Sequence, residues 1–385
     1  MAKSKPYVIS DETRKRCRII PISGDLASRF TPVSLELFAY LFQVKHIDFS
    51  LYFRVGSELI EYIKPKEFSH ELVQKMLMAR QKQFDQLDIC IEKRNYPLFE
   101  AIIASTRSKK MTELVRNDST LDSQTLELFS DLSNASQMIV KGGINGHVAK
   151  KAQKAAHTLV NNLKSSEVAV GTLSRMVLAD PTLYDHSASV SMIAGVICQQ
   201  MFKGDKLKAE KVALGGLYHD VGKTCVPNHI LNKPGKLTDE EFEVMKSHTT
   251  LGYEELMQAI EKGAPIDEEI AIVALEHHEK FCGGGYPTGK CGRLEEKADG
   301  IHYLARIVSI ADVYSALLMK RVYKEAFDQK TALDIMKKCA DSDYDPVIFE
   351  PFVENIEKSI KYYEQKEADE SKGKIIFVGK DKYSA

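Results

Sequence analysis

The chain has 385 residues, enough for two or three domains that each bury a core. With 44% hydrophobic and 28% charged residues it is an ordinary globular composition, which excludes an intrinsically disordered chain. Lys plus Arg (53) nearly balances Asp plus Glu (54), so no overall field draws it to DNA or to a membrane surface, and an anionic ligand must be captured by local charges.

Residues 1–14 read as a polar tail, and "MAKSKPYVISDETRKRCRII" has no long apolar core, so no signal peptide is expected. Residues 15–110 read as a small α/β regulatory domain. "IDFSLYFRV" and "ELIEYI" alternate like strands around a Val-Gly-Ser turn, and "LDICIEK" is a further strand. "SHELVQKMLMARQKQF" reads as a helix capped by Ser69.

Residues 111–170 read as a helical connector. A weak apolar stripe runs through Val148, Ala152, Ala155, Ala156, Leu159 and Leu163, open to pairing in a homodimer. His147 and His157 are read as ordinary helix histidines. Residues 171–362 are almost all helix: "DHSASVSMIAGVICQQMF", "KAEKVALGGLYHD", "TDEEFEVMKSHTTLGYEELMQAI", "DEEIAIVALEHHE" and "LARIVSIADVYSALLMK" follow one another. Asp239, Glu240 and Glu241 suit the positive end of the third helix. Residues 363–385 read as a charged tail. The fold class expected is mainly α, a helical bundle preceded by the small α/β domain. Seven scattered cysteines without a CxxC pair fit a reducing cytoplasm, and no apolar run reaches the roughly 18 residues of a membrane span.

Chemistry concentrates in the bundle. His186, His219, His248, His277 and His278, with Asp220 and Asp312, lie on segments that also carry apolar faces. His186 lines up with Val190, Ile193 and Ile197; His277 lines up with Ile270, Val273 and Ala274. Buried without partners, such groups would cost several kcal/mol apiece, roughly 2 to 7 for a polar group and more for a charge. A metal centre between facing helices removes that penalty. His229 and His302 fall in predicted loops and are left out of the set.

"LYHDVGK", "VPNHILNKPGKLTDEEFEVMKSHTTLGYE", "HHEKFCGGGYPTGKCG", "ARIVSIADVYSAL" and "RVYK" resemble the HD-GYP family of metal-dependent phosphohydrolases over roughly 170–360. Residues 45–105 resemble, more weakly, the small α/β domain often fused in front of it. The resemblance implies hydrolysis of cyclic di-GMP to the linear dinucleotide or GMP at a dinuclear centre of iron or manganese. It places His186, His219, Asp220 and Asp312 on one metal, with Asp220 bridging to a second held by His248, His277 and His278. Lys223 is expected on the phosphoryl oxygen, Arg321 and Lys324 on phosphate, Asp180 on a guanine edge, and Tyr286 of the glycine-rich loop at the ligand. That loop also implies docking to GGDEF-type proteins.

The match has departures. Cys282 and Ser315 stand where the family usually has Asp, and the stretch through "RLEEKADGIHYL" is longer. Cys282 is read as an inert substitution. Trinuclear members carry Glu four residues before the first ligand; Thr182 here implies two metals. The rival readings are a catalytically weak sensor or docking protein that keeps the metals, and a hydrolase for another cyclic dinucleotide.

Overall fold

The alternation on either side of Gly56 folds into a hairpin in the computed structural model, which describes residues 15–33, 35–82, 87–118, 121–163, 166–179, 185–202, 204–231, 233, 235–293, 300–319 and 327–380. Strand β1 is Arg18–Pro21, β2 Phe30–Pro32, β3 Leu51–Val55, β4 Glu58–Ile63 and β5 Asp88–Glu92. They form one antiparallel sheet in the order β1-β4-β3-β5-β2. Val55 pairs with Glu58 across the two-residue loop Gly56-Ser57, the short connection that suits twisted neighbours. Helix α1, His70–Lys82, starts where Leu72 N–H donates to Ser69 Oγ at 3.3 Å. It lays Val73 and Met76 on the sheet residues Phe53, Ile60, Ile89 and Ile91. The early part of α2, Tyr96–Asn117, adds Phe99 and Ile103 to the same core. The compact unit so built comprises Met1–Lys110 with Asn232–Pro234; the second comprises Met111–Leu231 with Gly235–Ala385.

The second unit is helical. The stretch read as a connector supplies α3 (Ser123–Gly142), α4 (Gly146–Asn162) and α5 (Ser166–Ala179). The stripe Val148, Ala152, Ala155, Ala156 and Leu159 is buried in the same core as the helices that follow, so that apolar face is covered within the unit. Its small side chains let α4 approach α3 and α7 (Lys206–Tyr218) closely. Helix α6, His186–Met201, is buried at every position from Ala188 to Cys198 and is flanked by α7 and α11 (Tyr303–Leu318).

The single helix expected over 238–260 is two: α8 (Asp239–Lys246) and α9 (His248–Glu261). A capping box between Thr238 and Glu241 starts α8. Three successive side chains stop it. Ser247 Oγ donates to Val244 O (2.6 Å), His248 Nδ1 to Met245 O (2.6 Å) and Thr249 Oγ1 to Lys246 O (3.0 Å). Side chains competing for the last-turn carbonyls end the backbone ladder there. Helix α10 is Glu268–Glu276 and α12 is Gln329–Lys337. Helix α13, Pro346–Lys380, runs on through the region read as a tail, burying Ile348, Phe352, Ile356 and Tyr363. Among the described residues no helix is long and apolar enough to cross a membrane.

Candidate metal centre

Six of the seven expected ligands sit at or just beyond helix ends. His186 opens α6, His219 caps the end of α7 and is followed by Asp220, His248 opens α9, and His277 caps the end of α10 and is followed by His278. Asp312 alone lies within a helix, on the buried face of α11. The ends matter because the last carbonyls of a helix have no intrahelical partner. His219 Nδ1 donates to Gly216 O (2.8 Å), His248 Nδ1 to Met245 O (2.6 Å) and His277 Nδ1 to Ala274 O (3.0 Å). The same contact, three residues back, occurs each time. It fixes the proton on Nδ1 and turns Nε2, with its lone pair, inward.

Asp220 stands at the centre. Its Oδ2 lies 3.2 Å from His219 Nε2 and 3.7 Å from His186 Nε2; its Oδ1 lies 3.4 Å from His248 Nε2 and 3.8 Å from His277 Nε2. Asp312 Oδ1 is 2.9 Å from His186 Nε2 and 3.7 Å from His219 Nε2, and its Oδ2 is 4.0 Å from His278 Nδ1. Donor atoms thus gather in groups able to hold a cation: His186, His219 and Asp220; Asp220, His248, His277 and His278; and His219, His277 and Asp312. His219 Nε2 and Asp220 Oδ1 are buried without an aligned hydrogen-bond partner among the described residues. Two orphaned donor atoms facing one another's neighbours are what a bound cation satisfies.

Electrostatics point the same way. Burial opposes charge on Asp220 and Asp312, but the surrounding imidazoles, with Lys223 at Asp220, hold both well below the usual carboxylate range. Burial first, and like-charged neighbours second, push His277 well below its ordinary value; burial lowers His248 too, and carries His278 down to about 4. Burial acts likewise on His219, but Asp220 and Asp312 beside it outweigh that and raise it to about 10. Ionised carboxylates and neutral imidazoles are the protonation states that ligation needs, and a cation would displace the proton from His219. The residues fit a metal centre.

Ser315, noticed in the sequence only as a departure, is fully buried and its Oγ lies 3.0 Å from His186 Nδ1. It orients His186, whose ring, unlike those of His219, His248 and His277, is held by a side chain on another helix. Cys282 is exposed and its Sγ donates to Asp341 O at 3.3 Å, outside every donor group. His157 pairs with Glu210, and His302 caps α11; neither joins the cluster. Asp180, Thr182, Arg321 and Lys324 lie outside the described residues.

Two close approaches hold the walls. A Cβ on Gly222 would stand 2.0 Å from His248 O and 2.4 Å from Gly252 N, so the turn after Asp220 rests directly on the backbone of α9. Gly222→Ala is therefore expected to lower stability by about 3 kcal/mol, the upper end for overpacking. Thermal unfolding checks this; an unchanged Tm would mean that the turn and α9 are not held together. At the glycine-rich loop, a Cβ on Gly285 would meet Lys280 N at 2.4 Å and His278 O at 2.5 Å. The loop folds back onto the paired histidines, with Tyr286 N donating to His278 O at 3.2 Å and Glu279 Oε1 accepting from Thr288 N and Gly289 N. This sets the Tyr286 ring 4.7 Å from the His278 ring, tilted by 32°.

A helical bundle with histidines and aspartates gathered from helix ends defines the HD class, and residues 172–348 match the family model described as HD domain. That segment matches an HD domain, and its motifs resemble those of the HD-GYP type. The chain is 38% identical over 144 residues to the cyclic di-GMP phosphodiesterase response regulator RpfG of Xanthomonas campestris, covering 37% of this chain and 35% of that one. It is 35% identical over 191 residues to a cyclic di-GMP phosphodiesterase of Thermotoga maritima, covering 50% and 49%. It is also 35% identical over 171 residues to 3'3'-cGAMP-specific phosphodiesterase 3 of Vibrio cholerae, covering 44% and 34%. The match thus spans about half or less of the length of these relatives. An HDG"Y"P protein of Bdellovibrio bacteriovorus shares the fold, with a TM-score of 0.52 at 16% identity over 85% of this chain and 99% of that one.

Proposed function

We propose that the chain hydrolyses a phosphodiester bond of cyclic di-GMP at a two-metal centre of iron or manganese. One observation carries the reading: the two oxygens of Asp220 face two different imidazole sets, His186 and His219 on one side, His248 and His277 on the other. A carboxylate so placed would be shared by two cation sites. His186, His219 and Asp312 would complete one ligand set, and His248, His277 and His278 the other. Imidazole-rich donors with a bridging carboxylate suit iron or manganese. When bound, such ions supply Lewis acidity toward a phosphoryl oxygen and a water that ionises near neutral pH.

The chain's own groups do the rest. Lys223 Nζ, 2.5 Å from Asp220 Oδ2 and partly exposed, stands at the edge of the cluster where phosphoryl charge would build. Tyr286 walls the second ligand set, its ring lying against that of His278. The names of the relatives support a cyclic dinucleotide as substrate. A second reading, the same chemistry on 3'3'-cGAMP, is favoured by the relatives specific for that nucleotide. The test joins elemental analysis of anaerobically purified protein to a turnover assay with both nucleotides. The expected result is close to two transition-metal ions per chain and hydrolysis of cyclic di-GMP to the linear dinucleotide or GMP. At most one ion after reconstitution rules out the bridged centre; three tightly held ions overturn the two-metal count.

A further inference from the structure

Helix α8 carries an aromatic side chain for which the core has no use. None of its residues is buried, and Phe242 is 46% exposed amid the acidic run Asp239–Glu241 and Glu243. The capping box at Thr238 and the stop at Ser247 fix this short helix at both ends, so Phe242 and Lys246, four residues apart, share a face. That face looks toward the glycine-rich loop. The Phe242 and Tyr286 rings are 6.4 Å apart and steeply inclined at 80°, while Tyr286 lies 4.7 Å from His278 and 6.4 Å from His248. A row of rings therefore leads from the second ligand set out to Phe242. Lys246 Nζ sits 5.1 Å from the Phe242 centroid and 5.8 Å from that of Tyr286, held by Glu243 Oε1 at 2.6 Å.

We infer that Phe242, Tyr286 and Lys246 form a guanine subsite, in which the Phe242 ring stacks on the base and Lys246 donates to its O6 and N7. The inference rests on the proposed phosphodiesterase reading and names the part of the substrate that α8 recognises. In a cyclic dinucleotide each purine is one sugar away from a phosphodiester. A scissile phosphate at the ligand cluster therefore sets a base beside it, where a flat apolar wall compensates for its lost hydration. Base–aromatic stacking is tolerant of sequence and does not select among purines. The ammonium does. Guanine offers two adjacent acceptors on this edge, whereas adenine offers one acceptor and an amino donor that opposes a cation. Lys246 keeps donors to spare beyond its contact with Glu243, since an ammonium carries three.

Full-length protein, reconstituted with manganese, is compared with Phe242→Ala, Phe242→Trp and Lys246→Met on cyclic di-GMP, cyclic di-AMP and bis(p-nitrophenyl) phosphate, a diester without a purine. Phe242→Ala is expected to raise both KM and Kd for cyclic di-GMP roughly 5- to 100-fold, with kcat, metal content and turnover of the small diester unchanged. Phe242→Trp keeps wild-type binding. Lys246→Met is expected to shrink the preference for cyclic di-GMP over cyclic di-AMP by about tenfold. Unchanged KM and Kd in Phe242→Ala, or an equal loss on the small diester, overturns the stacking role. An unchanged preference in Lys246→Met overturns the reading of guanine. Wild type that cleaves the small diester yet neither binds nor cleaves cyclic di-GMP removes the proposed substrate, and this subsite with it.

Discussion

Asp220→Ala is expected to lower metal content from two ions per chain to fewer than one and to reduce turnover by on the order of 10³-fold or more. The carboxylate's two oxygens face the two imidazole sets separately, at 3.2 and 3.7 Å on one side and 3.4 and 3.8 Å on the other. Removing it leaves each half without its shared anion. It also removes the charge that most strongly opposes the effect of burial on His219. Asp220→Asn keeps the shape and loses the charge, so it separates packing from ligation. Both variants should unfold near the wild-type apo protein and differ from it in metal content. Elemental analysis and the turnover assay decide the matter. Two ions retained by Asp220→Ala, with turnover within tenfold of wild type, would remove Asp220 from its bridging place.

Much of this centre was legible because its parts are local. A histidine beside an aspartate after an apolar helix, and a histidine pair after another, are visible as short motifs, and the periodicity of α6, α7 and α11 announces which faces turn inward. The depth to which the connector helices are buried was harder to read, for a physical reason. Alanines at 152, 155 and 156 give a weak hydrophobic signal, yet small side chains allow close helix contact, so α4 is packed as tightly as its louder neighbours. The break at Ser247 depends on three side chains turning to carbonyls, and propensity reads all three as compatible with one continuous helix. Strand β2 is three residues long and pairs with β5 some sixty positions later, a partner that no local pattern names. Ser315 and Phe242 escaped for the opposite reasons. The hydroxyl gains meaning only from His186 on another helix, and the ring only from Tyr286 on the loop. The signal for Phe242, an aromatic residue in an otherwise acidic helical turn, was present in "TDEEFEVMK".

Lys223→Ala is expected to lower kcat by about 10²- to 10³-fold, equivalent to ~2.7–4 kcal/mol of transition-state stabilisation, while leaving metal content intact and nucleotide binding little changed. The turn Val221–Cys225 carries Lys223 three residues past Asp220, and its Nζ lies 2.5 Å from Asp220 Oδ2 at the partly exposed edge of the cluster. In the proposed reaction an ammonium there would meet a phosphoryl oxygen as negative charge grows on it, and interactions that strengthen only in the transition state raise kcat more than affinity. Its neighbour Asp220 is shared with the imidazoles, so removing the lysine leaves that carboxylate partnered. Lys223→Arg, which keeps the charge but spreads it over a planar group, should recover part of the loss. The same assays separate an enzyme from a sensor. Wild type carrying two ions that binds cyclic di-GMP tightly and yields no product is a sensor, and the role of Lys223 falls with the reaction. If wild type turns over, equal losses of kcat and binding in Lys223→Ala would make the lysine a ground-state contact. Loss of metal in that variant would instead make it a brace for Asp220. A fall in kcat alone, with both ions present, places Lys223 on the developing phosphoryl charge.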